Sequence, residues 1–324
     1  MKARVLAVHD SVGRVLSTPI FRLSGKKLLA KGHILSEEDA LLLQAEGLDQ
    51  VWVTELDEGE VSEEEAVLAA SASMASGSLE IRLAAGGRAN LVATENCCVV
   101  IDDELLRQVN STASMVVATV ANFSHAKAGQ RIAVVKSAPF AVAKEQVNEV
   151  TSLLQENGPL IRVRPIRNPR IALLYTDPLQ AERARTLFEN VMRQRLEQYD
   201  PDSCFALCCL EEETQVSNAL AQLMKTNPNA VIVASTTAPA NPEDVVGRAM
   251  LRVGCSIERF LAPVEPGNLL LLAYRDEIPV ISAPGCYRSA KRNVLDLLLP
   301  PLLSGYRLSG WELANFGNGG LLAQ

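Results

Sequence analysis

The residues best suited to bind a ligand stand in a short segment, 283–289, which joins an apolar stretch to a predicted helix. The segment reads Ala-Pro-Gly-Cys-Tyr-Arg-Ser. If the helix begins at Ser289, its first backbone N–H groups face the loop and can donate to an anion. Arg288 and Lys291 add positive charge, which suits a phosphate group. Ordinary surface charge is the alternative interpretation, because exposed basic residues need no function.

Cys286 lies inside this segment, where a helix N-terminus can lower a thiol pKa and produce a nucleophile. No histidine is close in sequence, since His9, His33 and His125 all lie in the first half of the chain. We therefore favour a packing role for Cys286 over catalysis. The seven cysteines form an odd set without a CxxC pair, which predicts reduced, mostly buried thiols and no zinc site.

Three further segments carry small polar residues next to predicted strands: Thr176-Asp177-Pro178, Ser235-Thr236-Thr237 and Pro266-Gly267-Asn268. In an open α/β sheet, ligands bind outside the carboxyl ends of the strands, so these loops and segment 283–289 are expected to meet at one edge. The candidate ligand-binding residues are Thr176, Ser235, Thr236, Pro266, Gly267, Asn268, Pro284, Gly285, Cys286, Arg288, Ser289, Lys291 and Asn293.

The elements that must position these loops alternate in type after residue 170. Strands are predicted at 171–175, 204–209, 230–234, 269–274 and 278–281, and helices at 180–198, 214–224, 242–253 and 289–299. Strands separated by crossover helices form a parallel sheet that is covered on both faces. The predicted fold class is therefore α/β, with a three-layer α/β/α domain over 166–324 whose sheet is mainly parallel.

The first half of the chain shows a different pattern. Residues 1–75 are predicted to form an N-terminal αβ segment, in which Ser36 and Asp39 resemble a capping box and Gly47 ends the helix. Residues 76–165 contain short strands separated by glycines, which is typical of a β-rich module. The basic, proline-bearing stretch 162–170 is predicted to be a linker. The acidic stretch 55–65 is interpreted as the solvated start of a helix and not as a metal site.

Composition excludes several function classes. The net charge of -7 and the pI near 5.2 disfavour nucleic acid as a partner, and aromatic residues for stacking are few at 4%. No apolar run approaches the length of a membrane span, and the N-terminus reaches a charged residue too soon for a signal peptide. We therefore expect a cytoplasmic protein without a membrane partner.

The loops together resemble the molybdopterin-binding family that includes MoeA and MogA. The matching segments are 266–270 (Pro-Gly-Asn-Leu-Leu), 278–280 (Ile-Pro-Val), 284–293 (Pro-Gly-Cys-Tyr-Arg-Ser-Ala-Lys-Arg-Asn) and 317–322 (Gly-Asn-Gly-Gly-Leu-Leu). They are similar to a bacterial branch that is often fused to a MobA-like nucleotidyltransferase. Segments 28–53, 90–91 and 134–142 resemble the N-terminal and β-rich parts of the family.

The resemblance implies a protein that binds molybdopterin and acts in molybdenum cofactor biosynthesis or delivery. It leaves open whether the pterin is nucleotidylated, whether Mg²⁺ or molybdate also binds, and whether the chain forms a homo-oligomer. Because no nucleotidyltransferase domain follows Gln324, we expect that activity on a separate partner protein or not at all. A molybdoenzyme is the other partner that the resemblance implies.

One loop departs from the family pattern. The family has Gly-Gly-Thr-Ser/Gly after the third strand and an acidic residue in the next helix, whereas this chain has Ala-Ser-Thr-Thr-Ala at 234–238 and Asp244. The glycines that allow a ligand to approach the backbone are missing. Asp244 takes the place of the family's acidic residue and is the candidate catalytic group; its alternative role is to favour the first turn of the helix.

Three functions therefore stay open. The first is a molybdopterin molybdenumtransferase-like enzyme that helps metal insertion. The second is a non-catalytic carrier or scaffold for a nucleotidyltransferase or a molybdoenzyme maturation partner, which the missing glycines favour. The third is a general binder of phosphosugars or nucleotides.

Overall fold

A computed structural model describes residues 2–84, 86–112, 114–137 and 141–322. The chain divides into two compact units, the first within 1–94, 100–122 and 128–163 and the second within 95–99, 123–127 and 164–324. The segment 138–140, part of the family-like stretch 134–142, lies outside the described residues. The predicted division at residues 75 and 165 stays a prediction.

Among the described residues before 166, the elements are short strands and α-helices. The strands are β1 (Lys2–Ala7), β2 (Val15–Leu16), β3 (Ile20–Phe21), β4 (Lys27–Leu29), β5 (Gln50–Glu55), β6 (Glu60–Ser62), β7 (Ala75–Ser76), β8 (Leu79–Ala84), β9 (Arg88–Ala93), β10 (Cys97–Ile101), β11 (Met115–Thr119), β12 (Ser124–Ala126), β13 (Arg131–Ser137), β14 (Ala141–Ala143) and β15 (Ile161–Pro165). The helices are α1 (Glu37–Ala45), α2 (Glu63–Met74), α3 (Asp103–Ser111) and α4 (Lys144–Asn157).

The first unit contains small antiparallel sheets. Strands β1, β5 and β2 form a three-stranded sheet, and β11, β13, β9 and β8 form a four-stranded one. The predicted capping box at the start of α1 is confirmed, because the Ser36 hydroxyl accepts from the Asp39 N–H and the Asp39 carboxylate accepts from the Ser36 N–H. Helix α2 begins at Glu63, inside the acidic stretch 55–65, with Ser62 and Glu65 forming a second capping box.

The second unit contains one six-stranded sheet. Its strands are β16 (Arg170–Asp177), β17 (Ser203–Leu210), β18 (Ala230–Ser235), β19 (Ser256–Phe260), β20 (Leu271–Arg275) and β21 (Ile278–Ser282), in the spatial order β17-β16-β18-β21-β20-β19. Strands β17, β16, β18 and β21 pair in parallel, and β20 pairs antiparallel with both β21 and β19. The predicted α/β fold class with a mainly parallel sheet is confirmed.

Helices cover both faces of this sheet. The helices of the second unit are α5 (Arg183–Glu197), α6 (Glu213–Met224), α7 (Val245–Arg252), α8 (Val294–Leu303) and α9 (Gly310–Asn315). Apolar residues of α6 and α7 share one core with alternate residues of β16 and β18, including Leu174 and Val233. On the opposite face, Arg195 of α5 bonds to Asp296 of α8. The unit is therefore a three-layer α/β/α arrangement.

Two short segments from earlier in the chain belong to this unit. Cys97, Cys98 and Val99 of β10 pair antiparallel with β12. The Phe123 ring lies 5.1 Å from that of Tyr306 and 6.0 Å from that of Phe316, measured between centroids. Arg167 and Glu95 form a bidentate ion pair.

Two predicted elements differ most from the structure. The stretch 162–170 is not wholly a linker, since it holds the end of β15 and the first residue of β16. The helix predicted at 289–299 begins only at Val294 and continues to Leu303. It starts late because Asn293 and Asp296 form a capping box there. It continues to Leu303 with Pro300 and Pro301 in its last turn, although each proline removes one helical hydrogen bond and crowds the preceding turn.

Candidate functional site

The carboxyl ends of β16 and β18 form a topological switch point. The chain leaves β16 through α5 to β17 on one side, and later returns through α6 to β18 on the other side of β16. Connections that diverge in opposite directions from neighbouring parallel strands leave a crevice at the strand ends, where α/β proteins bind ligands. The predicted residues Thr176, Ser235 and Thr236 lie at this point.

Three hydroxyl groups surround the carboxylate of Glu211, which directly follows β17. The Thr176 hydroxyl donates to Glu211 Oε2 at 3.0 Å, and the Ser235 and Thr237 hydroxyls also donate to this carboxylate. Thr176 and Ser235 are buried, Glu211 is half-buried and Thr237 is exposed. These four side chains lie toward α6 and α7, since Leu174, Cys209 and Val233, two residues earlier on each strand, pack in that core. We call this group the Glu211 cluster.

A second carboxylate lies on the α5 side of the same edge. Asp177 Oδ1 accepts the N–H groups of Leu179 and Gln180, both at 2.8 Å, and Asp177 Oδ2 accepts the Thr236 hydroxyl at 2.7 Å. Arg183 lies 3.6 Å from Asp177 Oδ2. The hydrogen bond from Thr236, followed by the backbone donors and the charge of Arg183, lowers the pKa of Asp177 against the opposing effect of burial. Asp177 is therefore ionised at neutral pH.

Arg288 is a second basic side chain at this edge. Its guanidinium donates to the carbonyl of Thr236 and lies 5.1 Å from the centroid of the Phe188 ring. Tyr287 beside it is fully buried, and its hydroxyl donates to the Ser235 carbonyl at 3.2 Å. Residues 287 and 288 thus join segment 283–289 to the end of β18. This contact brings Thr176, Ser235, Thr236 and Arg288 together.

The backbone of segment 283–289 does not present the predicted anion donors. Residues Gly285–Arg288 form a 3-10 turn, the Ser289 N–H donates to the Cys286 carbonyl, and the Lys291 N–H donates to the Ser289 hydroxyl. The expectation that a helix N-terminus at Ser289 faces the ligand is wrong, because the helix begins five residues later and these N–H groups are already bonded. The side-chain charges of Arg288 and Lys291 remain as the support for an anion site here.

A buried arginine holds this loop in place. Arg195 of α5 donates from Nε to Asp296 Oδ1 at 3.0 Å, and from Nη2 to the carbonyls of Ser289 at 3.2 Å and Lys291 at 2.8 Å. Its side chain is only 4% exposed. Asn293 at the end of the loop is also buried, and its side chain accepts from the Leu295 N–H as the cap of α8. Ser289, Lys291 and Asn293 are therefore positioned through α5 and α8.

Cys286 lies half-buried in the 3-10 turn. Burial raises the pKa of its thiol, so the protonated form dominates at neutral pH. This environment agrees with the packing role that the sequence favours.

Asp244 is the N-cap residue of α7. Its Oδ1 accepts the Gly247 N–H at 2.8 Å, and its Oδ2 accepts the Ala240 N–H at 3.1 Å. One carboxylate oxygen thus accepts from the first turn of α7, as that of an N-cap aspartate does, and the other accepts from the preceding loop. This geometry supports the alternative role for Asp244, in which it stabilises the helix start.

The Pro266-Gly267-Asn268 segment lies farther along the same edge, before β20. It borders a pocket of about 320 Å³ that is lined by Ala262, Pro263, Val264, Glu265, Asn268, Gly320 and Leu321. The Glu265 N–H donates to the Gly320 carbonyl and the Leu322 N–H donates to the Glu265 carbonyl, both at 2.8 Å. The two family-like motifs at 266–270 and 317–322 therefore meet around one depression.

Sequence reasoning missed Glu211 and Arg195. Glu211 stands in a run of three glutamates, 211–213, that resembles a solvated helix start, and only its position after a buried strand could have distinguished it. Arg195 lies in a helix with many arginines, and nothing in its spacing marks it as the buried one. Asp177 was inside a predicted loop but was not selected as a ligand-binding residue.

Two kinds of feature are absent from the described residues. No group of three or more His, Cys, Asp or Glu side chains there is arranged to hold a metal ion. No helix in that part of the chain is long and apolar enough to cross a membrane.

The fold and the site define a doubly wound α/β domain with polar loops at its switch point. Comparison with solved structures finds a molybdopterin biosynthesis MoeA protein from Pyrococcus horikoshii, with a TM-score of 0.33 and 13% identity over 75% of this chain and 79% of that one. A second MoeA structure, from strain OT3, has a TM-score of 0.27 and 11% identity over 94% and 74% of the two chains. A molybdenum cofactor biosynthesis protein from Pyrococcus furiosus has a TM-score of 0.27 and 12% identity over 94% and 64%.

TM-scores this low establish neither a shared fold nor a shared function. No protein-family model matches the chain, and no curated protein sequence matches it.

Proposed function

We propose that this protein binds molybdopterin at the carboxyl edge of the six-stranded sheet and acts in molybdenum cofactor biosynthesis or delivery. The supporting observation is the position of the four candidate loops, of which 266–268 and 283–289 carry the family resemblance. Segments 176–178, 235–237, 266–268 and 283–289 all lie at the ends of strands on this edge, and the first two form the switch point. A MoeA/MogA-like sequence pattern and an independent rule for ligand sites thus indicate the same edge.

Arg288 and Lys291 supply the positive charge for the phosphate of the ligand. Replacing either by alanine is expected to weaken binding of a phosphate-bearing pterin by about 1 to 3 kcal/mol, since a charge-assisted hydrogen bond is lost. Isothermal calorimetry measures the affinities. Arg252→Ala is the matched control, because Arg252 pairs with Glu213 on the α6–α7 side of the sheet. Equal affinities of the wild type and the Arg288/Lys291 double variant would remove this loop from the site.

A carrier or scaffold role is favoured over metal insertion by the geometry of Asp244. Because both of its oxygens accept backbone N–H groups, Asp244→Asn is expected to lower the free energy of unfolding by about 1 kcal/mol or less and to leave pterin affinity unchanged. Urea denaturation and ligand titration measure the two effects. Molybdate-dependent cofactor formation by the wild type, abolished in Asp244→Asn, would instead assign the enzyme function and make Asp244 a catalytic residue.

Mass spectrometry of the protein after native purification tests the proposal as a whole. A pterin carried through purification supports it, and the mass shows whether the pterin is nucleotidylated and whether molybdate or Mg²⁺ accompanies it. A phosphosugar or an ordinary nucleotide in its place would support the general binder. Co-purification with a nucleotidyltransferase or a molybdoenzyme would identify the partner of a carrier, and size-exclusion chromatography would show whether the chain is a homo-oligomer.

A further inference from the structure

The hydrogen bonds of the Glu211 cluster leave no hydroxyl proton for a ligand. Thr176 donates its proton to Glu211. Ser235 and Thr237 also contact each other at 2.9 Å, so each donates either to Glu211 or to the other. In both cases all three protons stay within the cluster, because a hydroxyl has only one. The remaining capacity of these oxygens is to accept.

The Glu211 carboxylate strengthens this preference for a ligand that donates hydrogen bonds. An ionised carboxylate has about four sites for accepting hydrogen bonds and none for donating. The three hydroxyls use most of them, and no lysine or arginine in the described part of the chain forms an ion pair with Glu211. The half-buried Glu211 and the exposed Thr237 hydroxyl therefore offer solvent a negatively charged surface that only accepts.

Two arginines lie on the other side of the edge, whereas Arg248 and Arg252, on the side of α6 and α7, are both paired with Glu213. Arg183 and Arg288 contact Asp177 and Thr236, which face α5, whereas the Glu211 cluster faces α6 and α7. A phosphate is therefore attracted to the α5 side of the edge and repelled from the Glu211 cluster. A ligand that spans the strand ends must therefore present an anion at one end and hydrogen-bond donors at the other.

We propose that the Glu211 cluster selects a ligand whose heterocycle presents hydrogen-bond donors to it, such as the amino group and the adjacent ring N–H of pterin. Glu211 sets this preference because it holds the protons of the three hydroxyls. The proposal rests on the proposed function and assigns the two ends of its ligand. An analogue with a carbonyl in place of the amino group would bring two acceptors together, and such a mismatch leaves buried polar groups unpaired.

Pterin and lumazine test this preference directly, because lumazine has a carbonyl where pterin has its amino group. Fluorescence titration of the full chain with each compound is expected to give an affinity for pterin at least about tenfold higher. Glu211→Gln keeps the side-chain shape but adds an amide that can donate, which releases hydroxyl protons toward the ligand. In this variant the pterin preference is expected to fall to about one.

Glu212→Gln is the matched control. Glu212 is the exposed neighbour of Glu211, its carboxylate accepts from the Gln215 amide, and its replacement removes the same charge. It should keep the wild-type preference. A general effect of net charge or of folding would change both variants alike, whereas the proposal requires a change of selectivity in Glu211→Gln alone.

The outcomes separate this inference from the proposed function. Equal binding of pterin and lumazine, binding of neither, or an unchanged preference in Glu211→Gln overturns the inference. If the natively purified protein carries a pterin phosphate in those cases, the proposed function still stands. Absence of any carried pterin, together with no response to Arg288 and Lys291 variants, contradicts the function itself.

Discussion

Arg195→Met is expected to lower the free energy of unfolding by about 3 to 5 kcal/mol, the cost of breaking a buried ion pair by removing one partner. Methionine fills similar space but leaves the Asp296 carboxylate and the carbonyls of Ser289 and Lys291 without their donor. Asp296 also accepts from the Asn293 N–H in the capping box of α8, so the start of that helix should weaken as well. Urea denaturation measures the loss.

Arg193→Met is the control for this prediction. Arg193 lies on the same helix, also pairs with a carboxylate, and has a side chain that is 48% exposed. Exposed ion pairs contribute little, so this change should cost less than about 1 kcal/mol. Equal losses in the two variants would show that Arg195 does not hold the loop.

Gly267→Ala is expected to destabilise the protein by about 3 kcal/mol, whereas Gly285→Ala is tolerated. Gly267 has a φ of +130°, and a Cβ there would lie 2.6 Å from Val294 Cγ1 and 2.9 Å from the Val294 backbone nitrogen. Both backbone strain and overpacking against the start of α8 therefore oppose a side chain. At Gly285, the nearest atom to an added Cβ is the Ala238 Cβ at 3.7 Å, an ordinary contact.

Thermal denaturation of the two variants measures this difference. Because both glycines follow a proline in family-like motifs, the sequence alone gives them the same importance. Equal stability of Gly267→Ala and Gly285→Ala would contradict the close approach of the 266–268 loop to α8.

The architecture of the second half of the chain was largely predictable, because buried parallel strands are continuous apolar runs. The strands at 171–175, 204–209 and 230–234 were located to within one or two residues for this reason. The helices α7 and α8 begin three and five residues later than predicted, because a side chain caps the backbone at each start. Asp244 and Asn293 set these starts, and a cap is a single residue that periodicity does not reveal.

The position of the candidate site was predictable from the sequence, but the direction of its hydrogen bonds was not. Small polar residues after apolar strands locate the edge of the sheet. Which hydroxyl donates to which carboxylate depends on the distances between side chains at the ends of β16, β17 and β18. The bonded residues are up to 59 positions apart in sequence. The same limit applies to Arg195, whose bonds to the carbonyls of the 287–291 loop span more than 90 residues.

The second unit includes the segments 95–99 and 123–127, which are separated in sequence from the rest of that unit. Its folded body is encoded in three separate stretches, and Phe123 from one of them packs on Tyr306 and Phe316 from another. A single recombination break near residue 164 would therefore separate the sheet domain from strands and an aromatic side chain that belong to its own body. An exchange of either half of the sequence with that of another protein would have to preserve the contacts of Phe123 with Tyr306 and Phe316.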